Sequence, residues 1–71
     1  IFSLRLHALR FERKLSQSEL AKMLDISVRT IIRYENGDRV PDIETACLLA
    51  KILNVSLDYL CGLSDNPHRF E

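Results

Sequence analysis

Two arginines four residues apart, Arg29 and Arg33, are the side chains of this sequence best suited to chemistry. On an α-helix they would share one face, and Val28, Ile32 and Asn36 would lie beside them. A guanidinium group can donate two hydrogen bonds to a guanine edge, and small apolar groups can contact the methyl group of thymine. A solvated helix face with two ordinary arginines has the same composition. These residues therefore indicate DNA binding only if the neighbouring elements present this face of the helix to a duplex.

The segment before this stripe predicts a helix and a very short turn. Ser16 and Glu19 have the spacing of a capping box, which starts a helix over Gln17–Leu24. Asp25 follows at the turn, where we expect a positive φ, a conformation that Asp tolerates better than most residues.

The stripe itself lies on a third helix, predicted from Val28 to about Asn36. Ser27 can cap its start, and Gly37 is a typical helix stop. Two helices joined by so short a turn cross steeply and share one apolar wedge. The residues expected in that wedge are Leu20, Leu24, Ile26, Ile31 and Tyr34, with the small Ala21 at the closest approach.

Three further helices complete a predicted all-α bundle of five. A first helix over Phe2–Arg13 is expected to turn Leu4, Ala8, Leu9 and Phe11 toward the core. The other two are predicted over Ile43–Leu53, capped by Asp42 and ended by Asn54, and over Leu57–Cys61, capped by Ser56 and ended by Gly62. We expect one domain over residues 1–63, with 64–71 as a tail or the start of a linker.

The charge is polarised along the chain, although the formal net charge of the 71 residues is zero. Residues 1–39 carry eight basic and five acidic side chains, whereas residues 40–71 carry two basic and five acidic ones. A net charge of +3 on one half and −3 on the other allows the first half to face phosphate. A chance imbalance on a solvated surface is the alternative.

Other classes of protein fit this sequence poorly. Cys47 and Cys61 are too few for a secreted disulfide scaffold, which favours two free thiols in the cytoplasm, and the histidines lie too far along the chain for a metal site. No apolar run has the length of a membrane span. Neither a nucleophile–base pair nor a phosphate-binding loop is visible, so we predict no enzyme, cofactor or small-molecule substrate. The first residue is Ile, which suggests a trimmed or partial chain.

Glu35 is an acid close to the arginine stripe and would repel phosphate unless it were neutralised. Arg10 on the first helix is the candidate partner, and a partly buried pair would tie that helix to the third. Breaking such a buried pair costs several kcal/mol, about 3–5. Two unrelated surface charges remain the alternative.

Three segments together resemble the Cro and repressor family of helix-turn-helix proteins, also called XRE-type, and the lambdoid phage repressors in particular. They are Leu15–Ala21, Arg33–Gly37 and Val55–Leu60, and the resemblance covers about residues 2–63. It implies a lambda-repressor-like bundle in which helices 2 and 3 are the helix-turn-helix. It also implies that Arg10 and Glu35 form a buried pair. Asp25 departs from the family pattern, which usually has Gly at the turn.

The resemblance also assigns roles at the DNA surface. It implies base contacts from Ser27, Val28, Arg29 and Arg33. It implies phosphate contacts from Gln17, Asn36 and Arg39, and less firmly from Thr30, Lys14 and Arg5. Ile32 stands where polar residues are common, either as an extra thymine contact or as an exposed apolar residue.

A second surface is expected to join two copies of the chain. Leu48 falls where the fourth helix of the family often carries a charge. With Leu48, the predicted dimer patch contains Leu57, Tyr59, Leu60 and Leu63; the alternative is that Leu57 and Leu60 belong to the core.

These patterns lead to one functional expectation and one rival. We expect a transcriptional regulator of phage or prophage type, most simply a repressor, that reads a pseudo-palindromic double-stranded operator as a homodimer through helix 3. The rival is an antitoxin-like or adaptor domain of the same fold, whose main partner is a protein.

Overall fold

The computed structural model describes residues 1–68, which form five α-helices and no strand. The helices are α1 (Phe2–Glu12), α2 (Gln17–Leu24), α3 (Val28–Asn36), α4 (Ile43–Leu53) and α5 (Leu57–Cys61). The predicted five-helix architecture is confirmed, and only the end of α1 differs, by one residue. None of the helices in this part of the chain is both long and apolar enough to span a bilayer.

Four of the helices begin at the side-chain caps that the sequence predicts. The hydroxyl of Ser16 accepts a hydrogen bond from the Glu19 N–H (3.0 Å), while the Glu19 carboxylate accepts one from the Ser16 N–H (3.0 Å). The side chains of Ser27, Asp42 and Ser56 cap α3, α4 and α5 by accepting a hydrogen bond from the third helical N–H, without the reciprocal bond. Each cap satisfies a backbone donor that the first helical turn leaves without a partner.

All five helices are followed by one residue with a positive φ, which turns the chain and ends the helix. These residues are Lys14, Asp25, Gly37, Asn54 and Gly62. After each of them a backbone N–H returns to a carbonyl five residues earlier, as in Ile26 to Ala21 (3.0 Å). At four of the five positions the sequence predicts a helix end, because Gly, Asn or Asp occupies the position. Lys14 carries no such signal, and its turn explains why α1 ends before Arg13.

The core contains the predicted wedge between α2 and α3. Leu20, Ala21, Leu24, Ile31 and Tyr34 are buried, and Ile26 packs against them half-buried. α1, α4 and α5 close the other side. The buried residues that these elements and the α4–α5 turn add are Leu6, Leu9, Leu49, Ala50, Leu53, Val55 and Leu60.

The predicted inner face of α1 was wrong. Leu4 is 73% exposed and Phe11 70%, whereas Leu6 is fully buried. Leu9 is the one member of the predicted set that is buried. α1 has apolar residues on two sides, so spacing alone does not say which side packs. The bundle buries the side on which Leu6 and Leu9 accompany Arg10.

The chain after α5 folds back over the bundle. The Arg5 guanidinium donates to the Ser64 carbonyl (2.6 Å), pairs with Asp65 (3.1 Å) and lies over the Tyr59 ring, 4.1 Å from its centre. The Ser56 N–H donates to the Pro67 carbonyl (2.8 Å). Residues 64–67 therefore contact the bundle, although the boundary placed after residue 63 stays a prediction.

The turn between α2 and α3 leads to a stability prediction at Asp25, where φ is 56°. A left-handed residue with a Cβ costs roughly 1–2 kcal/mol. We expect Asp25→Gly to equal or exceed the wild type in free energy of unfolding. We expect Asp25→Ala to be about 1 kcal/mol less stable than Asp25→Gly, measured by urea denaturation. Asp38→Gly is the control, because Asp38 has no positive φ and should gain nothing. Equal stability of the Ala and Gly variants at position 25 would contradict this account.

Candidate nucleic-acid interface

One side of α3 faces away from the bundle and carries the predicted stripe. The exposed residues on it are Val28, Arg29, Ile32, Arg33 and Asn36. With 3.6 residues per turn, these five positions span an arc of about 140°. The opposite side of the helix carries the buried Ile31 and Tyr34. We call the five-residue surface the exposed α3 face.

The two arginines of the exposed α3 face are not used by the fold. Within residues 1–68, neither Arg29 nor Arg33 takes part in an ion pair or a side-chain hydrogen bond. Both guanidinium groups are therefore free to donate to an outside acceptor. The apolar Val28 and Ile32 adjoin them, 39% and 37% exposed.

On one flank of this face lie Thr30 and Arg39. The Ser27 and Thr30 hydroxyl oxygens are 2.9 Å apart, and the Ser27 oxygen also caps the Thr30 N–H (3.2 Å). Thr30 and Arg39 both line a groove between α3 and the start of α4. Ser27 thus holds the helix start, and its predicted base contact stays a prediction. The predicted phosphate contacts of Thr30 and Arg39 stay predictions.

On the other flank lies the first turn of α2. Gln17 and Ser18 have backbone N–H groups without a helical partner, a feature that favours anions at a helix N-terminus. The Gln17 side chain donates to Glu35 (3.2 Å), so its amide is turned toward α3. The predicted phosphate contact of Gln17 stays a prediction, and its backbone is the part left free for it.

The predicted pair between Arg10 and Glu35 is confirmed. Arg10 donates from Nε to Glu35 Oε2 (2.6 Å) and from Nη2 to Oε1 (3.1 Å), a two-point contact. The third guanidinium nitrogen donates to the Leu15 carbonyl (2.8 Å). The two side chains are only 11% and 4% exposed. The pair therefore joins α1 to α3 and to the chain that enters α2.

His7 belongs to the same cluster, and sequence reasoning missed it. Its Nδ1 lies 3.0 Å from Glu35 Oε1 and 3.3 Å from Arg10 Nη2. The signal was available, because His7 precedes Arg10 by three positions and so shares its side of α1. We call His7, Arg10, Gln17 and Glu35 the Glu35 cluster.

The Glu35 cluster holds its carboxylate ionised. Burial acts to raise the pKa of Glu35, but hydrogen bonds from Arg10, His7 and Gln17 outweigh it, together with the Arg10 charge. The net effect lowers the pKa from its ordinary value of 4.5. The negative charge is thereby neutralised inside the cluster, next to the exposed α3 face.

Three arginines counted in the positive half of the chain are used inside the molecule. Arg10 pairs with Glu35, and Arg13 donates to the Leu53 carbonyl (2.9 Å) at the end of α4. Arg5 holds the segment after α5, and its expected help with phosphates stays a prediction. Of the remaining predicted phosphate residues, Lys14, Asn36 and Arg39 are exposed, and their contacts stay predictions.

The structure divides the predicted dimer patch. Leu60 is fully buried in the core, so its place in the patch was wrong. Leu57 is half-buried against the core, and Tyr59 is covered by Arg5. Leu48 and Leu63 are exposed, at 49% and 81%, and only these two remain open for a partner.

The five-helix bundle, with a short left-handed turn between α2 and α3, defines a helix-turn-helix protein. A family model described as helix-turn-helix matches residues 6–60, most of the chain. The chain belongs to this family, in its Cro and repressor (XRE) branch.

Known proteins resemble the chain across most of its length. It is 38% identical over 71 residues to the uncharacterized HTH-type transcriptional regulator YqaE of Bacillus subtilis, covering all of this chain and 61% of that protein. It is 35% identical over 65 residues to the cryptic phage CTXphi transcriptional repressor RstR of Vibrio cholerae, covering 92% of this chain and 59% of that one. The chain thus spans about three fifths of these curated relatives.

A solved structure has the same fold. The P22 c2 repressor, in a crystal structure with synthetic operator 9T, superposes with a TM-score of 0.81 at 33% identity. The match covers 84% of this chain and 91% of that one. The predicted lambdoid-repressor fold is thereby confirmed.

The burial of the Glu35 cluster leads to a prediction for the ion pair. Removing one partner leaves the other buried and unpaired, so we expect Arg10→Met or Glu35→Leu alone to cost about 3–5 kcal/mol of unfolding free energy. The double variant should lose less than either single variant, because no buried charge remains. Urea denaturation of all four proteins measures this coupling. Additive losses would mean that the two charges act independently.

The lowered pKa of Glu35 leads to a prediction for acid stability. Since ionised Glu35 favours the folded state, its contribution is present above the ordinary value of 4.5 and is lost as the pH falls through the lower folded value. We expect unfolding free energy to drop with acidification below about pH 4.5 and to drop less steeply in Glu35→Gln. Some acid sensitivity should persist, because hydrogen bonds from Ser16 and Thr45 also lower the pKa of Glu19 and Asp42. Identical pH profiles for the two proteins would refute the assignment.

Proposed function

We propose that this chain is the sequence-specific DNA-binding domain of a transcriptional repressor. The observation that carries the proposal is the exposed α3 face, with two unpaired arginines and two apolar side chains. A B-DNA major groove is about 12 Å wide and admits one α-helix. Donors that can read guanine, with branched apolar side chains that can contact the methyl group of thymine, suit such a helix.

The flanks of α3 support the same proposal. The free N–H groups at the start of α2 lie on one side, and Thr30 and Arg39 lie on the other. Contacts to the two phosphate chains bordering a groove would come from these positions and set the register without reading sequence. Asn36 and Lys14 are further candidates for phosphate contact. Base reading is assigned to Val28, Arg29 and Arg33, with Ser27 mainly a cap.

The similar proteins favour repression over activation of transcription. RstR is named as a phage repressor, and the P22 c2 repressor was crystallised with an operator. We therefore propose repression in a phage or prophage setting, with two copies on a pseudo-palindrome whose half-sites lie roughly 34 Å apart. Leu48 and Leu63 are the exposed apolar residues proposed for the contact between copies.

We further propose a cytoplasmic, non-enzymatic role. Cys47 and Cys61 are both free and exposed, which suits a reducing compartment. Group transfer or hydrolysis would need a nucleophile beside a base within a cleft, and the functional surface proposed here is a convex helix face.

Selection of binding sites from random double-stranded DNA tests the proposal. We expect enrichment of one palindromic sequence and a steep loss of affinity as salt rises. Failure to enrich any sequence, with no affinity for duplex DNA at low salt, would instead favour a domain that binds protein.

Two arginine variants separate base reading from phosphate contact. Arg29→Ala should weaken binding to the selected site by about 1–3 kcal/mol and relax the preference at one or two base pairs. Arg39→Ala is the matched control. It should weaken all sequences alike and reduce the salt dependence by about one phosphate contact. Uniform weakening by Arg29→Ala would place that arginine on a phosphate instead.

A further inference from the structure

His7 is the most exposed titratable side chain of the Glu35 cluster. Its side chain is 56% exposed, whereas those of Arg10 and Glu35 are 11% and 4% exposed. Histidine is the side chain that ordinarily changes its charge between pH 5 and 8. His7 is therefore the member of the cluster that can respond to solvent conditions while the buried pair stays intact.

The contact between His7 and Glu35 requires a proton on one particular ring nitrogen. Nδ1 lies 3.0 Å from Glu35 Oε1, and the ionised carboxylate can only accept. A protonated ring always has a proton on Nδ1, whereas a neutral ring has it in one of two tautomers. The other tautomer would accept from Arg10 Nη2 (3.3 Å) and turn a lone pair toward the carboxylate. Protonation therefore strengthens the bond to Glu35, since charge-assisted hydrogen bonds are about twice as strong as neutral ones.

The charges that face the His7 ring come from two helices. Arg10 lies beside it on α1, and Glu35 lies opposite on α3; within residues 1–68 these are the charged groups in hydrogen-bond contact with the ring. From α2 comes the uncharged amide of Gln17, which meets the same carboxylate, and the Phe11 ring lies 6.1 Å away between ring centres. Because Arg10 already neutralises Glu35, a proton on His7 makes the cluster net positive.

Three donors meet at one oxygen of Glu35. Oε1 accepts from His7 Nδ1 (3.0 Å), Arg10 Nη2 (3.1 Å) and Gln17 Nε2 (3.2 Å). A carboxylate oxygen has about two lone-pair sites, so the three donors compete for them. The bond from Gln17 is the longest of the three and comes from a neutral amide. It is therefore the first to weaken when His7 carries a charge, which leaves the Gln17 amide free to donate elsewhere.

We propose that His7 is a positioning residue for DNA binding, whose protonated form occupies Glu35 Oε1 and releases the Gln17 amide to a phosphate oxygen. Gln17 begins α2, where the free N–H groups of the first turn also favour an anion. Since the protonated form binds DNA better, affinity rises as the pH falls and His7 gains its proton. This inference rests on the proposed function and adds a pH dependence to it.

The affinity for DNA at two pH values tests this inference. The probe is the palindromic duplex enriched by selection, titrated with the 71-residue chain. We expect the wild type to bind about two- to fivefold more tightly at about pH 5.5 than at about pH 7.5, the range found for single exposed ion pairs. This window lies above the ordinary titration of carboxylates and below that of thiols. His68→Gln is the matched control, because the second histidine lies after α5, and this variant should keep the full effect.

Three variants assign the effect to the Glu35 cluster. His7→Gln cannot gain a charge and should bind at both pH values as the wild type does at about pH 7.5. His7→Lys carries a permanent charge and should bind tightly at both. Gln17→Ala should lose most of the pH dependence although His7 is intact. Full pH dependence in His7→Gln, or in Gln17→Ala, would overturn the inference, because another group or the charge of His7 alone would then be responsible. Circular dichroism checks that each variant folds.

A measurement without DNA separates failure of this inference from failure of the proposed function. Nitrogen NMR of the isotope-labelled chain follows the Gln17 side-chain amide and the His7 ring as the pH changes. We expect the Gln17 amide resonance to shift together with the His7 titration and to stay unchanged in His7→Gln. A Gln17 amide that does not respond to His7 would overturn the inference even if the chain binds DNA. Absence of affinity for any duplex would overturn the proposed function itself.

Discussion

The carboxylate of Glu35 is the group around which the rest of this domain is arranged. It is almost completely buried, and a buried charge is tolerated only when donors surround it. Those donors come from two other helices, with Arg10 and His7 on α1 and Gln17 on α2. One side chain thus fixes the position of α3 relative to both neighbours. That constraint helps to keep the exposed α3 face directed outward.

The Glu35 cluster also determines which charges the exposed α3 face presents. An acid on the helix proposed to enter a groove would repel phosphate if it were exposed. Pairing with Arg10 removes that negative charge from the surface. Arg10 itself was counted among the basic residues of the positive half, but the pair makes it unavailable to phosphate. Arg5 and Arg13 are likewise used inside the molecule, where they donate to carbonyls after α5 and at the end of α4. Arg29 and Arg33 are what remains on α3, and no internal partner within the described residues competes for them.

Helix ends complete the positioning. Each helix is followed within two positions by a single left-handed residue, which changes the direction of the chain. The short turn between α2 and α3 keeps these two helices close together. Ala21 and Ile31 can therefore pack in the same wedge. Glycine occupies this conformation at two of the five ends, and Asp25, Asn54 and Lys14 adopt it at a cost in conformational energy. The bundle imposes that conformation because its packing outweighs a local penalty of about 1–2 kcal/mol.

What the sequence determined is local: where helices begin, where most of them end, and which residues of α2 and α3 meet across a tight turn. Capping side chains and apolar periodicity act within one or two turns, so Ser16, Ser27, Asp42 and Ser56 could be read without a structure. The pair of Arg10 and Glu35 was a candidate from the need to neutralise Glu35, and the family pattern strengthened it. The tertiary structure alone decided which side of α1 packs, that His7 joins the cluster, and that Leu60 lies in the core. Each of those choices depends on contacts between residues far apart in the chain. Spacing could place His7 on the same side of α1 as Arg10, but only the packing of α1 against α3 brings it to Glu35.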